Sequence, residues 1–149
     1  MKVKHFDGQV VHGLSARTNN ANEFNPETGK IPALWQQFDL HVPVNYQAGE
    51  RVYGVYDDYA SDFQGDFTVL AGFDGRELPK GITLEKRNIP AGKYLAFSKS
   101  GDMPQIAIDA WTDVWQYFTS DSCAHERLYK TDFEYYPNGN TIEVYIGIK

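Results

Sequence analysis

Asp132-Phe133-Glu134-Tyr135-Tyr136, then Pro137-Asn138-Gly139-Asn140, then Ile142-Glu143-Val144-Tyr145-Ile146-Gly147-Ile148-Lys149: the chain closes on a stretch that reads as two strands joined by a turn. Aromatic and β-branched residues flank an Asn-Gly pair, the strongest short-range signal for a hairpin. In a strand, alternate side chains point to opposite faces, so Phe133 and Tyr135 share one face while Glu134 and Tyr136 share the other. A carboxylate on a buried aromatic face is costly to desolvate unless a positive or hydrogen-bonding group meets it. Alternation alone is equally compatible with a Glu134 that faces solvent.

The same pattern stands earlier in the chain. Val52-Tyr53-Gly54-Val55-Tyr56-Asp57 answers Tyr129 to Glu134, and Val69-Leu70-Ala71-Gly72-Phe73 answers Val144-Tyr145-Ile146-Gly147-Ile148. Asp57 then holds the place that corresponds to Glu134. Each half reads as strand, helix, hairpin. In the first half these are residues 9–18, the short helix Pro32–Phe38 and the hairpin Arg51–Asp74. In the second, residues 82–99 fold back at Pro90-Ala91-Gly92, Pro104–Thr119 form a helix, and Leu128–Lys149 form the closing hairpin. The expected architecture is one α+β domain over residues 1–149, duplicated internally at about 1–76 and 77–149. An antiparallel sheet would carry two main helices.

The second helix has the clearer signals. Asp102 and Gln105 have capping-box spacing, and Pro104 falls in the first turn, where a missing amide hydrogen is harmless. Ala107, Ile108, Trp111, Val114, Trp115 and Phe118 share one side, with Asp109, Asp113 and Gln116 opposite. The first helix turns Ile31, Leu34, Trp35 and Phe38 inward, and Pro43 stops it. Ordinary core packing explains any one of the three tryptophans. Their combination with Glu134 points further.

Composition excludes several classes. The 149 residues are 42% hydrophobic and 15% aromatic, which is enough for a core. A net charge of -6, with scattered basic residues, offers no footprint for nucleic acid. Met1–Asp7 lacks the apolar segment of a signal peptide, and no stretch approaches the roughly 20 apolar residues of a membrane span, so a cytoplasmic protein with no membrane partner is expected. Cys123 is the sole cysteine. His5, His12, His41 and His125 are dispersed, and Asp57, Asp58, Asp62 and Asp66 lack the ligand pattern of a calcium loop, so no metal site is expected. Hydrolase elbows, Walker loops, dinucleotide fingerprints and zinc-protease motifs are missing, and no cofactor is expected. If Glu134 lies in a cleft of tyrosine and tryptophan, a cationic ligand would restore its charged state, and each ring face would add roughly 0.5–2 kcal/mol of cation-π attraction.

The duplicated halves, the run Ile89-Pro90-Ala91-Gly92-Lys93-Tyr94, the Trp111–Trp115 helix, the Asp132-Phe133-Glu134 strand and the Ile142–Lys149 ending resemble the GyrI-like effector-binding domains of bacterial AraC-type and MerR-type regulators. That family includes stand-alone members carried on integron gene cassettes. The resemblance implies a ligand cleft between the halves, with the match by motif placing the family's acidic pocket residue on Glu134. It implies a free-standing, multidrug-type binding module for cationic amphipathic small molecules, with binding rather than turnover as the first expectation. Regulators of this type carry a separate DNA-binding domain, and since the duplicated fold takes up residues 1–149 none is expected here. The aromatic walls expected from helix faces and loop position are Trp35, Phe38, Tyr46, Trp111, Trp115 and Tyr136. The resemblance leaves two alternatives open. One is a hydrolase of reactive cyclopropane-type natural products, with Glu134 as general base; the other is a modulator that acts on gyrase or a separate regulator.

Overall fold

The computed structural model describes all residues, Met1–Lys149. The closing stretch forms β7 (Arg127–Asn138) and β8 (Thr141–Ile148), with Phe133 opposite Tyr145 and their rings stacked at 4.6 Å. Six further strands complete an antiparallel sheet: β1 (Lys2–Phe6), β2 (Gln9–Thr18), β3 (Val52–Asp57), β4 (Phe67–Phe73), β5 (Glu85–Ile89) and β6 (Gly92–Ser100), in the order β1-β6-β8-β7-β3-β4-β2-β5. The order is symmetric about the β3–β7 pair. On one side of it lie β4 and β2 of the first half, on the other β8 and β6 of the second.

One expectation is corrected. Residues 82–99 do not fold back at Pro90-Ala91-Gly92, because β5 pairs with β2 while β6 pairs with β1 and β8. A two-residue hairpin needs positive φ in its loop, which proline forbids and alanine disfavours. The strand therefore bends at Pro90 and continues. β1 likewise bends into β2 at Gly8, whose φ is +99°. Phe6 lies opposite Gly92 and Gln9 opposite Ile89, so the two bent strands pair on both sides of their kinks.

The helices lie on one face. α2 (Ile31–His41) sets Leu34 and Phe38 on Val52, Val69, Ala71 and Phe73 of β3 and β4. α3 (Gln105–Phe118) sets Ile106, Ala110 and Val114 on Leu95, Phe97, Val144 and Ile146 of β6 and β8. Its inward side is turned from the one read in the sequence: Ile108 is 56% exposed, while Ile106 and Ala110 are buried. Small Ala110 allows the close approach, and Trp111 is left on the flank toward the first half. The capping box also does not form, since Gln105 donates to Asp109 and only the backbone carbonyl of Asp102 meets the helix. A cap the sequence reading missed is Glu23, in the short helix α1 (Asn20–Glu23). Its carboxylate accepts from the amides of Lys30 and Ile31 at the start of α2, at 2.9 and 3.0 Å.

The opposite face buries Val11, Tyr53, Val55, Leu70, Tyr94, Phe133 and Tyr145 without a helix. Each helix thus covers its own half. The strip between them, over β3 and β7, is left to side chains from both.

β2 and β4 approach unusually closely where Gly13 pairs with Gly72, and a Cβ on Gly13 would stand 2.7 Å from the Gly72 Cα and inside the Ala71 carbonyl. Gly13→Ala is expected to lower unfolding free energy by about 3 kcal/mol in urea denaturation, because only backbone movement relieves the overlap.

Candidate ligand-binding site

Glu134 projects from β7 onto the helix-bearing face, in the strip between α2 and α3, and is 3% exposed. Three neutral donors hold it. Trp111 Nε1 donates to Oε2 at 2.7 Å, the Tyr56 hydroxyl donates to the same oxygen at 3.1 Å, and the Tyr136 hydroxyl donates to Oε1 at 3.0 Å. The Trp111 ring meets Tyr56 edge-on at 5.0 Å, and Trp35 of α2 meets Tyr136 at 5.8 Å. Trp111 and Tyr136 touch the apolar clusters of both halves. The site is thus built at the seam, and the halves meet there on packed rings.

No Lys, Arg or His forms an ion pair with Glu134. Two residues earlier on the same strand face, the contrast is complete. Asp132 is fully buried and accepts from Arg127 Nη2 at 2.8 Å, the Tyr59 hydroxyl at 2.5 Å and the Gly147 amide at 2.9 Å. Arg127 in turn lies 4.4 Å over the Tyr129 ring. The fold supplies Asp132 with a cation and Glu134 with none.

The structure brings Trp35, Trp111 and Tyr136 to Glu134, but the other expected wall residues stand elsewhere. Phe38 is wholly buried behind Trp35 and packs on Phe73. Trp115 lies one turn along α3, where Phe24 covers it at 5.4 Å. Tyr46 is 47% exposed and its ring faces the Arg51 guanidinium, whose Nη1 donates to the Tyr46 carbonyl at 3.0 Å. A groove of about 440 Å3 opens beside Tyr46 and Arg51, and another of about 430 Å3 beside Leu14, Lys30 and His41; neither reaches Glu134. Asp57 is not the counterpart of Glu134. Gly54 pairs with Glu134 and Tyr56 with Asp132, so Asp57 projects from the other face, where it binds Arg87. The residue missed from the sequence is Tyr56. Its signal was the alternation of Val52, Gly54 and Tyr56 on one side of β3, unreadable until β3 is known to pair with β7.

Similarity to known proteins follows the same outline. A family model described as Cass2, integron-associated effector binding protein, matches residues 2–148. The integron cassette protein VCH_CASS2, from the mobile metagenome of Vibrio cholerae, shares 41% identity over 99% of this chain and 95% of its own, with a TM-score of 0.91. SAV2435 bound to tetraphenylphosphonium superposes with a TM-score of 0.72 at 16% identity, covering 99% of this chain and 93% of that one. The C-terminal domain of EcmrR gives 0.52 at 12% identity, covering 99% and 96%. These last two likenesses are of fold alone. No curated protein sequence matches the chain.

Burial pushes the Glu134 carboxyl above its ordinary value, and the bonds from Trp111, Tyr136 and Tyr56 hold it down part of the way. With the folded value above the unfolded one, the group's contribution to stability is fully present below the unfolded value. It is lost as pH rises through the folded value. Glu134→Gln, which carries no charge, is therefore expected to melt at a higher temperature than the parent at pH 8, with the difference closing toward pH 4. Thermal unfolding followed by circular dichroism at both pH values checks it.

Proposed function

The chain belongs to the integron-associated effector binding proteins, and from that membership we propose that it is a binding module for lipophilic cations in which Glu134 is the counter-charge. One observation carries the reading: a carboxylate buried at the seam, ringed by aromatic side chains, for which the fold provides donors but no cation. A desolvated anion of this kind is best stabilised by a positive charge that brings its own apolar surface. Trp35, Trp111, Tyr56 and Tyr136 offer the aromatic rings against whose faces such a cation would rest. That SAV2435 binds tetraphenylphosphonium on the same fold supports the ligand class.

The three donors fix the carboxylate in orientation but leave its charge whole. A cation beside it gains Coulomb attraction in a region poor in water, and aromatic walls accept varied outlines, so breadth of ligand shape is compatible with strict selection for charge. The hydrolase reading needs a water within hydrogen-bond reach of Glu134, and both of its oxygens already accept from Trp111, Tyr56 and Tyr136.

Two measurements test the proposal. Glu134→Gln is expected to bind tetraphenylphosphonium about 10- to 100-fold more weakly while neutral triphenylphosphine oxide changes within about twofold. Equal losses for both ligands would defeat the reading. Because burial raises the Glu134 carboxyl, and a cation stabilises its ionised form, phosphonium binding is expected to release protons and to weaken as pH falls through that raised value. Calorimetric titration in buffers of different ionisation heat reports the release.

A further inference from the structure

Gly54 stands in the middle of β3, flanked by Val52, Tyr53, Val55 and Tyr56. Glycine weakens a strand interior, and here its φ is not positive, so the backbone does not require it. What requires it lies across the strand pair. A Cβ built on Gly54 would collide with Glu134 Oε1, stand 3.3 Å from Glu134 Cδ and press on Trp35 Cζ2 at 3.2 Å. The carboxylate occupies the space that any other residue's side chain would take.

We propose that Gly54 is the positioning residue of the ligand-binding carboxylate: its missing side chain is the socket in which Glu134 lies flat against β3, within reach of Tyr56, Trp111 and Tyr136. The inference rests on the reading of Glu134 as counter-charge. Socket and donors are complementary. Tyr56 and Trp111 hold Oε2 from one side, and Oε1, held by Tyr136, fills the hollow over Gly54. A methyl group at residue 54 pushes the carboxylate off its donors. The collision is with the mobile end of a side chain, so the strand itself is not forced apart, and alanine is the better strand former.

The test is calorimetric titration of Gly54→Ala with tetraphenylphosphonium and triphenylphosphine oxide. The variant is expected to lose about tenfold in affinity for the phosphonium and to keep its affinity for the neutral oxide within about twofold. In a Glu134→Ala background, where no carboxylate fills the socket, Gly54→Ala is expected to leave phosphonium affinity within about twofold and to spare the fold the destabilisation it causes beside the carboxylate. Should Gly54→Ala alone fail to fold, the double variant decides: a double variant as stable as Glu134→Ala supports the socket, and one equally unfolded overturns it. Gly54→Ala with the parent's preference for the phosphonium overturns the role of Gly54 alone. Glu134→Ala with that preference intact overturns instead the reading of Glu134 on which it rests.

Discussion

A carboxylate held out of water by three uncharged donors is the constraint around which this protein is arranged. Desolvating Glu134 is unfavourable by several kcal/mol unless its oxygens are met. The donors come from three elements: Tyr56 on β3, Tyr136 on β7 and Trp111 on α3. Each must be held where it is, so the β3–β7 register, the seat of α3 on β8 and the glycine opposite Glu134 are linked. A slip of one residue in that register would turn Glu134 to the helix-free face and put Phe133 in its place.

The neighbouring Asp132 shows that the same strand can bury a charge in another way. Arg127 neutralises it, Tyr59 and the Gly147 amide complete its bonds, and the group serves to lock β7 against β8 where the ladder is irregular between Arg127 and Asp132. The two carboxylates lie on one face, at similar depth, under similar rings. Their difference is the source of the charge that balances each one.

The closing hairpin, the alternation that sets Glu134 beside Tyr136, and the two helices are local patterns, and the sequence carries them plainly. The inward sides of the helices were legible only in part. Ile31, Leu34 and Phe38 follow the period of α2, but the roll of α3 depends on which small residue meets the sheet, and Ala110 rather than Ala107 does so. The course of the chain at Pro90 is not legible in the sequence, because a Pro-Ala-Gly run marks a break in direction without saying whether the strand returns or continues. Tyr56 and Gly54 were hidden for a different reason: their roles exist only through a pairing of strands almost eighty residues apart. Tyr46, whose place in a loop suggests a pocket wall, is held away by Arg51.

The bent strands carry a mechanical consequence. The halves are joined by the β3–β7 ladder and also by the paired arms β1–β6 and β2–β5, where the first strand of each half crosses to the other. The boundary is therefore stitched twice, along lines on either side of the molecule. A crack along one line is resisted by the other, and the halves are unable to swing apart like the shells of a clam. Any motion that opens the strip over Glu134 falls to α2 and α3, over a stiff floor.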